Sequence, residues 1–365
     1  MVNRRQFVQA ASALAVPGVL GSAMAQERQF NPQPGAWREF EFTTRIEVTA
    51  TKGTTRVWLP VPSINTDYQQ SLDNSWSGNA TKAELVTDAK YGARMLVAEF
   101  AANTDKPVLE LSSRIRTQNR STDFAQKISA KENPLALKAW MQPTELMPID
   151  GIVLQTAKEI TKGARTDVDK VRAIYDWVIA NTYREPKVRG CGTGDIKAML
   201  ETGNMGGKCA DINALFVGLC RAVGLPARDV YGIRLAPSAF GYKELSGQSA
   251  QLKGAQHCRA EVHLAGSGWV AVDPADVAKV MRLETPTWIK RLDHPVVEPV
   301  YRHLFGGWEG NWLGWNFAHD LQLPASEEGQ LHFLMYPVAE TEEGRVDSYA
   351  PDAFRYTISA QELSA

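Results

Sequence analysis

The chain has 365 residues, of which 44% are hydrophobic, and a formal net charge of −1 at pH 7. This length exceeds what one hydrophobic core usually serves, so we expect two or three structural modules. The balance of 40 basic and 41 acidic residues excludes the excess of positive charge typical of proteins that bind nucleic acids or anionic membranes. We therefore expect no nucleic-acid partner.

The N-terminus carries an export pattern. Arg4 and Arg5 precede an apolar stretch over residues 10–20, and Ala25 ends a cleavage site of the A-x-A type. This pattern predicts a twin-arginine signal peptide over residues 1–25 and a periplasmic mature protein with 38 basic and 41 acidic residues. An uncleaved anchor is disfavoured because the apolar stretch is short and contains proline and glycine, so we expect no membrane insertion after cleavage.

Alternating apolar residues predict a β-sandwich-like domain over residues 36–120. The first two alternating runs flank Lys52 and Gly53, a pattern typical of a β-hairpin. The runs that predict strands are 40–48, 57–61, 94–100 and 108–116. The periodicity fades over residues 121–150, which we interpret as a linker.

Helical periodicity begins after this linker, with helices predicted over residues 151–162 and 167–181. A third helix begins at Cys209, directly after a glycine turn, and ends before Pro226. The first N–H groups of a helix lack intrahelical acceptors and carry the positive end of the helix dipole, so they lower the pKa of a cysteine placed there. The position of Cys209 therefore predicts a thiolate nucleophile.

A base and an orienting acid follow downstream. Residues 257–264 and 269–273 alternate polar and apolar residues around a glycine-rich turn, which predicts a hairpin with His257 and Asp273 at its open end. With Cys209 they predict a Cys-His-Asp triad. A symmetric count about the turn places His257 opposite Asp276 instead, so pairing with Asp273 requires a stagger or a bulge. Asp276 remains the alternative acid, expected at the surface.

These segments, in this order, resemble the bacterial transglutaminase-like superfamily, which shares the papain-type cysteine-protease core. The resemblance implies an α+β fold with a catalytic core over residues 151–300 and a β-rich, aromatic-rich C-terminal extension over residues 301–365. It also implies that Cys209 is the nucleophile, His257 the general base and then the general acid, and Asp273 the group that holds the imidazole. The resemblance rests on Gly207-Lys208-Cys209-Ala210-Asp211, Gly224-Leu225-Pro226-Ala227-Arg228, the His257 strand, and Gly268-Trp269-Val270 to Val272-Asp273-Pro274. Members often carry an aromatic residue two positions after the histidine, where this chain has Arg259.

The other cysteines and histidines fit simpler roles. Cys220 lies among the apolar residues of the Cys209 helix and is expected in the core. His263 would lie about 20 Å from His257 along an extended strand, so it is expected to be a packed or solvated strand residue. No metal site and no cofactor is predicted, because four further histidines have no spaced ligand partners: His294, His303, His319 and His332.

Two features of the predicted site stay open at the level of sequence. The backbone N–H of Cys209 is one donor for an oxyanion hole, while the second donor is unassigned between Asn204 and Tyr183. If a disulfide forms beside a working thiol at Cys209, the favoured pair is Cys191 with Cys258.

The predicted activity is hydrolysis of amide or peptide bonds through an acyl-enzyme, on a peptide or protein substrate. Alternatives are a transglutaminase-type amine acyltransferase and a non-catalytic binding module on the same fold. Hydrolysis is favoured because water is always present, whereas a transferase must exclude it. The aromatic residues after residue 300 are expected to be core, with the alternative of a subsite wall that would include Asn316 and Asp320.

Overall fold

The computed structural model describes residues 28–49, 53–127 and 132–363. The predicted signal peptide, residues 1–25, and Lys52 of the predicted turn lie outside the described residues. Within the described ranges, none of the helices is both long enough and apolar enough to cross a bilayer.

The described residues form an α+β fold with seventeen strands and seven helices. The strands are β1 (Arg38–Val48), β2 (Thr55–Val61), β3 (Gln69–Gly78), β4 (Lys82–Thr87), β5 (Arg94–Phe100), β6 (Val108–Thr117), β7 (Arg120–Ser121), β8 (Tyr183–Arg184), β9 (Gly206–Gly207), β10 (Ala227–Arg234), β11 (Arg259–Leu264), β12 (Gly268–Val272), β13 (Gly307–Trp308), β14 (Trp312–Asn316), β15 (Val338–Thr341), β16 (Gly344–Val346) and β17 (Phe354–Leu363). The helices are α1 (Pro134–Ala139), α2 (Gly151–Ile160), α3 (Asp167–Asn181), α4 (Ile196–Thr202), α5 (Cys209–Ala222), α6 (Pro274–Leu283) and α7 (Glu298–His303).

Two antiparallel sheets form the β-rich part, with strand orders β17-β1-β6-β3 and β16-β15-β2-β5-β4. Residues of β1 alternate between buried and half-exposed positions, so one face of its sheet enters a core that also receives side chains from the second sheet. Phe40, Phe42 and Ile46 are at most 1% exposed there. Burial of such side chains supplies about 1.5–3 kcal/mol each.

The predicted hairpin between the first two strands is wrong. β1 pairs with β6 and β17, whereas β2 pairs with β5 and β15, so the two strands lie in different sheets. Strands from the C-terminal region therefore complete both sheets. Alternation predicts that a strand has one buried face, but it does not specify the neighbouring strand. The domain boundaries inferred from the sequence remain predictions.

The third sheet, in the order β12-β11-β10-β14, supports α5. Every residue of α5 from Cys209 to Arg221 is buried, because α2, α3 and α6 also pack against this helix. The helices predicted over 151–162 and 167–181 are confirmed as α2 and α3. Within the stretch 121–150 the structure contains the short helix α1.

The aromatic residues of the C-terminal region mainly serve the core, as expected. Trp308, Trp312 and Trp315 are each 1% exposed and belong to the central hydrophobic cluster. Asn316 is also buried, where its side chain donates to Leu334 O and accepts from Ala318 N. This part of the chain thus closes over the sheet that carries α5.

Candidate active site

Cys209 is the first residue of α5, and it is 1% exposed. The carboxylate of Asp211, two residues later, accepts backbone N–H groups from Lys208, Thr193 and Gly194, each at 2.9 Å. Asp211 therefore fixes the loop before α4 against the start of α5. Burial raises the pKa of Asp211, opposed by these three N–H donors.

His257 lies two residues before β11 and faces two carboxylates. Its Nε2 is 2.7 Å from an Asp273 oxygen and 3.3 Å from an Asp276 oxygen. The backbone holds the residue on both sides, since His257 N donates to Gly232 O and the Trp312 indole donates to His257 O, both at 2.9 Å. Because Nε2 faces the acids, Nδ1 is the nitrogen that remains for another partner.

Neither the stagger nor the bulge expected for Asp273 is present. β11 and β12 pair in regular register, and Asp273 then caps α6, accepting the Asp276 N–H at 3.0 Å. The helical turn brings Asp276 back toward His257, so both acids reach the same imidazole. The expectation that Asp276 lies at the surface is wrong, since the residue is 1% exposed.

Asn213, which the sequence analysis did not single out, anchors the acid to the nucleophile helix. Its side-chain amide donates to Asp273 at 3.2 Å and to Cys258 O at 2.9 Å, and its oxygen accepts from Ala275 N at 3.2 Å. Asn213 is one helical turn after Cys209 and fully buried. A polar residue inside the apolar stripe of a buried helix was the signal that could have identified it.

Arg234 is the second functional neighbour that sequence reasoning missed. Its guanidinium lies 2.5 Å from Asp276 in a buried ion pair. Burial opposes ionisation of Asp276, but Arg234 and His257 hold the pKa of that carboxyl well below its usual range. Burial and the neighbouring charge of Asp276 instead raise the pKa of Asp273.

The imidazole of His257 is stabilised in its charged form. Burial lowers its pKa, but the charges of Asp276 and Asp273 outweigh both burial and the repulsion from Arg234 and raise the pKa to about 9. The contact at 2.7 Å makes Asp273 the closer of the two acids, while Asp276 adds charge from a longer distance.

The Cys209 thiol is shifted in the opposite direction. Burial alone would raise its pKa, but hydrogen bonds with Cys191, Cys258 and His257, together with the charge of His257, hold the pKa well below its usual range. Interaction with Cys209 raises the pKa of Cys191, and burial raises that of Cys258. All four cysteines are free thiols, so the favoured disulfide between Cys191 and Cys258 is not formed.

Residues 189–192 and 347–349 form a cover over this site. Cys191 O accepts the Ala210 N–H at 2.9 Å, which places the first segment on the start of α5. Arg189 forms an ion pair with Asp347 and stacks on Tyr349, with its guanidinium carbon 4.8 Å from the ring centroid. A side chain at Gly190 would collide with Tyr349. Burial raises the pKa of Tyr349 to about 12, and interaction with Cys191 and Cys209 adds to the shift, so the second segment also lies close to the thiol.

A cavity of about 410 Å³ adjoins the cover. Its wall is mainly apolar and aromatic, formed by residues that include Leu331, Phe333, Tyr336, Val338 and Tyr349. Tyr336 also interacts through its hydroxyl with the Cys191 thiol. Part of the C-terminal region thus lines a cleft, although its tryptophans are core residues.

Other residues singled out from the sequence pack behind the site or away from it. Arg259 is buried against Trp308 and Trp312 and donates to Glu309 O at 3.0 Å. Its Nε lies 3.7 Å from an Asp273 oxygen, so it packs behind the site and pairs with the acid there. Burial lowers the pKa of Arg259 to about 10. Cys220 is a fully buried core residue, as expected. His263 packs against Trp269, which confirms the expectation of a strand residue remote from the site.

The second oxyanion donor remains unassigned. Asn204 is exposed, and its side chain accepts the Gly206 N–H at 3.4 Å. Tyr183 is half-buried and packs against Trp288 with ring centroids 5.7 Å apart. Within the described ranges, neither side chain forms a hydrogen bond with Cys209.

Two groups of side chains in the described ranges have the spacing of metal ligands. One is His257 with Asp273 and Asp276, and the other is His332 with Glu145 and Asp320, each group having its ligand atoms within 4.8 Å of one another. His332 therefore has ligand partners in space that its spacing along the sequence does not indicate. The fold brings Asp320 and Glu145 to it from distant positions, and Asp320 accepts the Glu145 N–H at 2.8 Å.

Comparison with known proteins agrees with this architecture. Residues 154–274 match the Transglutaminase-like superfamily, and the match spans α5, β10, β11 and β12. A protein of Haemophilus influenzae, itself uncharacterised, is 34% identical over 343 residues, covering 89% of this chain and 91% of its own length. The chain therefore contains a transglutaminase-like core.

One solved structure shows the same fold at low sequence identity. A candidate cysteine protease from Cytophaga hutchinsonii superimposes with a TM-score of 0.56 at 16% identity, covering 91% of this chain and 93% of that one. The periplasmic domain of TgpA from Pseudomonas aeruginosa aligns with a TM-score of 0.34 at 15% identity, over 67% of this chain and 91% of that domain. The transglutaminase-like core therefore occurs within an α+β architecture, as predicted.

Proposed function

We propose that this protein is a cysteine-dependent hydrolase of amide or peptide bonds that works through an acyl-enzyme. The observation that carries the proposal is the oriented imidazole of His257, 2.7 Å from Asp273, which interacts with a buried thiol of lowered pKa at the start of a helix. A thiolate beside an imidazolium is the reactive form of a cysteine nucleophile.

In the proposed mechanism, the Cys209 thiolate attacks the carbonyl carbon of the substrate. The backbone N–H at the start of α5 stabilises the oxyanion, and the His257 imidazolium gives its proton to the leaving amine. The neutral imidazole then takes a proton from water, whose oxygen attacks the thioester and releases the acid and the thiolate. Asp273 keeps the ring oriented through both steps, and Asn213 keeps Asp273 in place.

A transglutaminase-type reaction is the second candidate, because Cys209 is only 1% exposed. A thioester formed in a site that excludes water lasts long enough to meet an amine. The two reactions share the acyl-enzyme and differ only in the acceptor.

The test is a library of peptide amides, with intact-protein and peptide mass spectrometry as the readout. We expect an acyl adduct on Cys209 and none in Cys209→Ala or His257→Ala. Added primary amine then separates the two reactions, since a hydrolase releases mainly acid and a transferase releases mainly amide. An adduct that persists in Cys209→Ala would contradict the assignment of the nucleophile. No turnover by a protein whose Cys209 is fully reactive would favour the binding module.

The substrate is proposed to be a peptide or a protein, because the cavity beside the cover has an extended aromatic wall. The protein is also proposed to act in the periplasm, on the basis of Arg4, Arg5 and the cleavage pattern at Ala25.

A further inference from the structure

Within the part of the chain that the structure describes, two cations beside Cys209 have no acidic partner. Arg184, in β8, pairs in parallel register with Gly207, and Lys208 is the residue between that pair and the nucleophile. Glu185 N donates to Gly207 O at 2.9 Å, which holds the two segments together. The β8–β9 pairing therefore delivers both side chains to the start of α5.

Neither cation forms an ion pair within residues 28–49, 53–127 and 132–363. Both side chains are half-buried, and the Arg184 Nε is buried without a hydrogen-bond acceptor. The acids nearby are engaged, since Asp211 accepts three backbone N–H groups and Glu185 accepts the Lys187 N–H at 2.9 Å. Burial and repulsion by Arg184 lower the pKa of Lys208, so the two charges lie close enough to interact.

Four arginines have a buried Nε without a hydrogen-bond acceptor, and three of them form an ion pair through their guanidinium: Arg114 with Glu39, Arg259 with Asp273 and Arg345 with Glu340. Arg184 is the fourth, and within the described ranges it forms none. Other buried arginines of this core are also paired. Arg234 pairs with Asp276, while Arg120 and Arg228 share Glu261. A buried guanidinium N–H without an acceptor is costly, so the exception at Arg184 indicates a group supplied from outside the chain. The planar fork of arginine matches a carboxylate, and a neighbouring lysine adds a point charge.

We propose that Arg184 and Lys208 form an anion subsite that selects a substrate carrying a carboxylate close to the acylated carbonyl, such as an acidic peptide. This inference rests on the proposed function, because Cys209 defines where the carbonyl lies. The subsite acts in specificity, and the chemistry at the thiol belongs to the Cys209, His257 and Asp273 group.

A pair of alkylating reagents tests the subsite without knowledge of the substrate. Iodoacetate and iodoacetamide are similar in size, but only iodoacetate is an anion. We measure the ratio of their alkylation rates at Cys209 by peptide mass spectrometry. Arg184→Gln and Lys208→Gln should each lower the iodoacetate to iodoacetamide ratio about five- to tenfold, and added salt should lower the ratio of the unsubstituted protein.

The control is Lys187→Gln, an exposed cation three residues from Arg184, which should leave the ratio unchanged. Arg184→Lys retains the charge, so it should keep most of the iodoacetate to iodoacetamide ratio. Circular dichroism checks that each variant is folded. A ratio that is equal in all variants would overturn the subsite. Equal slowing of both reagents would also overturn it, because the cations would then act only on the thiolate.

The same experiment separates the subsite from the proposed function. We compare the alkylation rate of Cys209 with those of Cys191 and Cys258. If Cys209 is not the fastest of the three with either reagent, the nucleophile assignment fails. If Cys209 is reactive but the ratio does not depend on Arg184 or Lys208, only the subsite fails. With turnover established, matched peptide amides that carry glutamate or glutamine beside the acylated residue should differ mainly in KM, and the double variant should remove that difference.

Discussion

At the scale of single residues, the two acids that contact His257 have different roles. Asp273→Asn should keep the fold but lower the acylation rate by up to about 10⁴-fold, because an amide can hold the imidazole in the wrong tautomer. The rate of adduct formation on Cys209 is the measurement.

Asp276→Asn should act mainly on stability, since it leaves Arg234 buried without its ion-pair partner, at a cost of about 3–5 kcal/mol.

Urea denaturation of both variants distinguishes the roles. If Asp273→Asn acylates at the full rate while Asp276→Asn is folded but inactive, Asp276 is the acid that orients His257 and Asp273 is the one that acts on stability. If neither substitution affects the rate, His257 is held by packing and the catalytic unit is a dyad of Cys209 and His257.

The opposite shifts of Cys209 and His257 predict a plateau of stability against pH. Below about pH 6.5 the unfolded chain carries a protonated thiol where the folded protein holds a thiolate, so the stability contributed by Cys209 rises with pH. Above about pH 8.5 the unfolded histidine is neutral while the folded one stays protonated up to about pH 9, so the stability contributed by His257 falls. Between these limits the two effects offset each other.

The free energy of unfolding at several pH values checks this profile. Cys209→Ala should remove the acidic limb and His257→Gln the alkaline limb, while His303→Gln serves as the control. A profile that does not change in the two site variants would refute the thiolate and imidazolium pair.

Sequence reasoning singled out Cys209 and His257 because their signals are local, a helix start and a strand next to a turn. It favoured Asp273 and kept Asp276 as the alternative, but it could not predict that both acids contact His257, since that depends on how the chain turns into α6 after the strand. Arg234 and Asn213 carry no motif of their own, and their relevance appears only when α5, β10 and α6 pack together. Tertiary proximity of this kind is not encoded by spacing along the chain.

At the scale of elements, the cover over Cys209 is held by an exposed ion pair. Arg189 and Asp347 have side chains that are 64% and 43% exposed, so their pairing supplies at most about 1 kcal/mol. Asp347→Asn should therefore raise the rate of Cys209 alkylation by iodoacetamide about two- to fivefold, because the cover opens more often. Glu298→Gln removes a comparable exposed pair, with Arg302, and should not change the rate. An unchanged rate in Asp347→Asn would show that another contact limits access.

The alternation of apolar residues predicts the bounds of a strand better than its pairing. Residues 94–100 and 108–116 were predicted as strands and form β5 and β6 with nearly the same bounds. The pairing of β1 was mispredicted because a short separation along the chain favours a hairpin, whereas β17 provides a partner more than 300 residues away.

At the scale of the whole molecule, β17 joins the C-terminal region to the N-terminal sheet. Ile358 faces the shared core at 1% exposure, while its neighbour Thr357 is exposed on the other face. Ile358→Asp should unfold the protein or lower its stability by several kcal/mol, because it buries an unpaired charge. Thr357→Asp introduces the same group into solvent and should change stability by less than about 0.5 kcal/mol. Thermal and urea denaturation compare the pair, and equal effects would show that β17 does not contribute to the core.

Export concerns the whole chain as well. Changing Arg4 and Arg5 to lysine keeps the charge but removes the twin-arginine signature, so the protein should stay unprocessed in the cytoplasm. Cell fractionation and the mass of the protein report the outcome. The control is the double variant Arg114→Lys and Arg116→Lys, which changes two arginines outside the signal peptide. Mature protein in the periplasm at normal levels would exclude this route.

The position of β17 also determines when the protein can fold during its synthesis. β1 and β2 receive their outer neighbours only from β17 and β15, at the far end of the chain. At a synthesis rate of about 5–20 residues per second, roughly 15 to 60 s pass between the appearance of β1 and that of β17. During this interval both strands have an unpaired edge that can associate with other chains. We therefore expect these two edges to need protection from other chains, as chaperones provide, until the last strand has been synthesised.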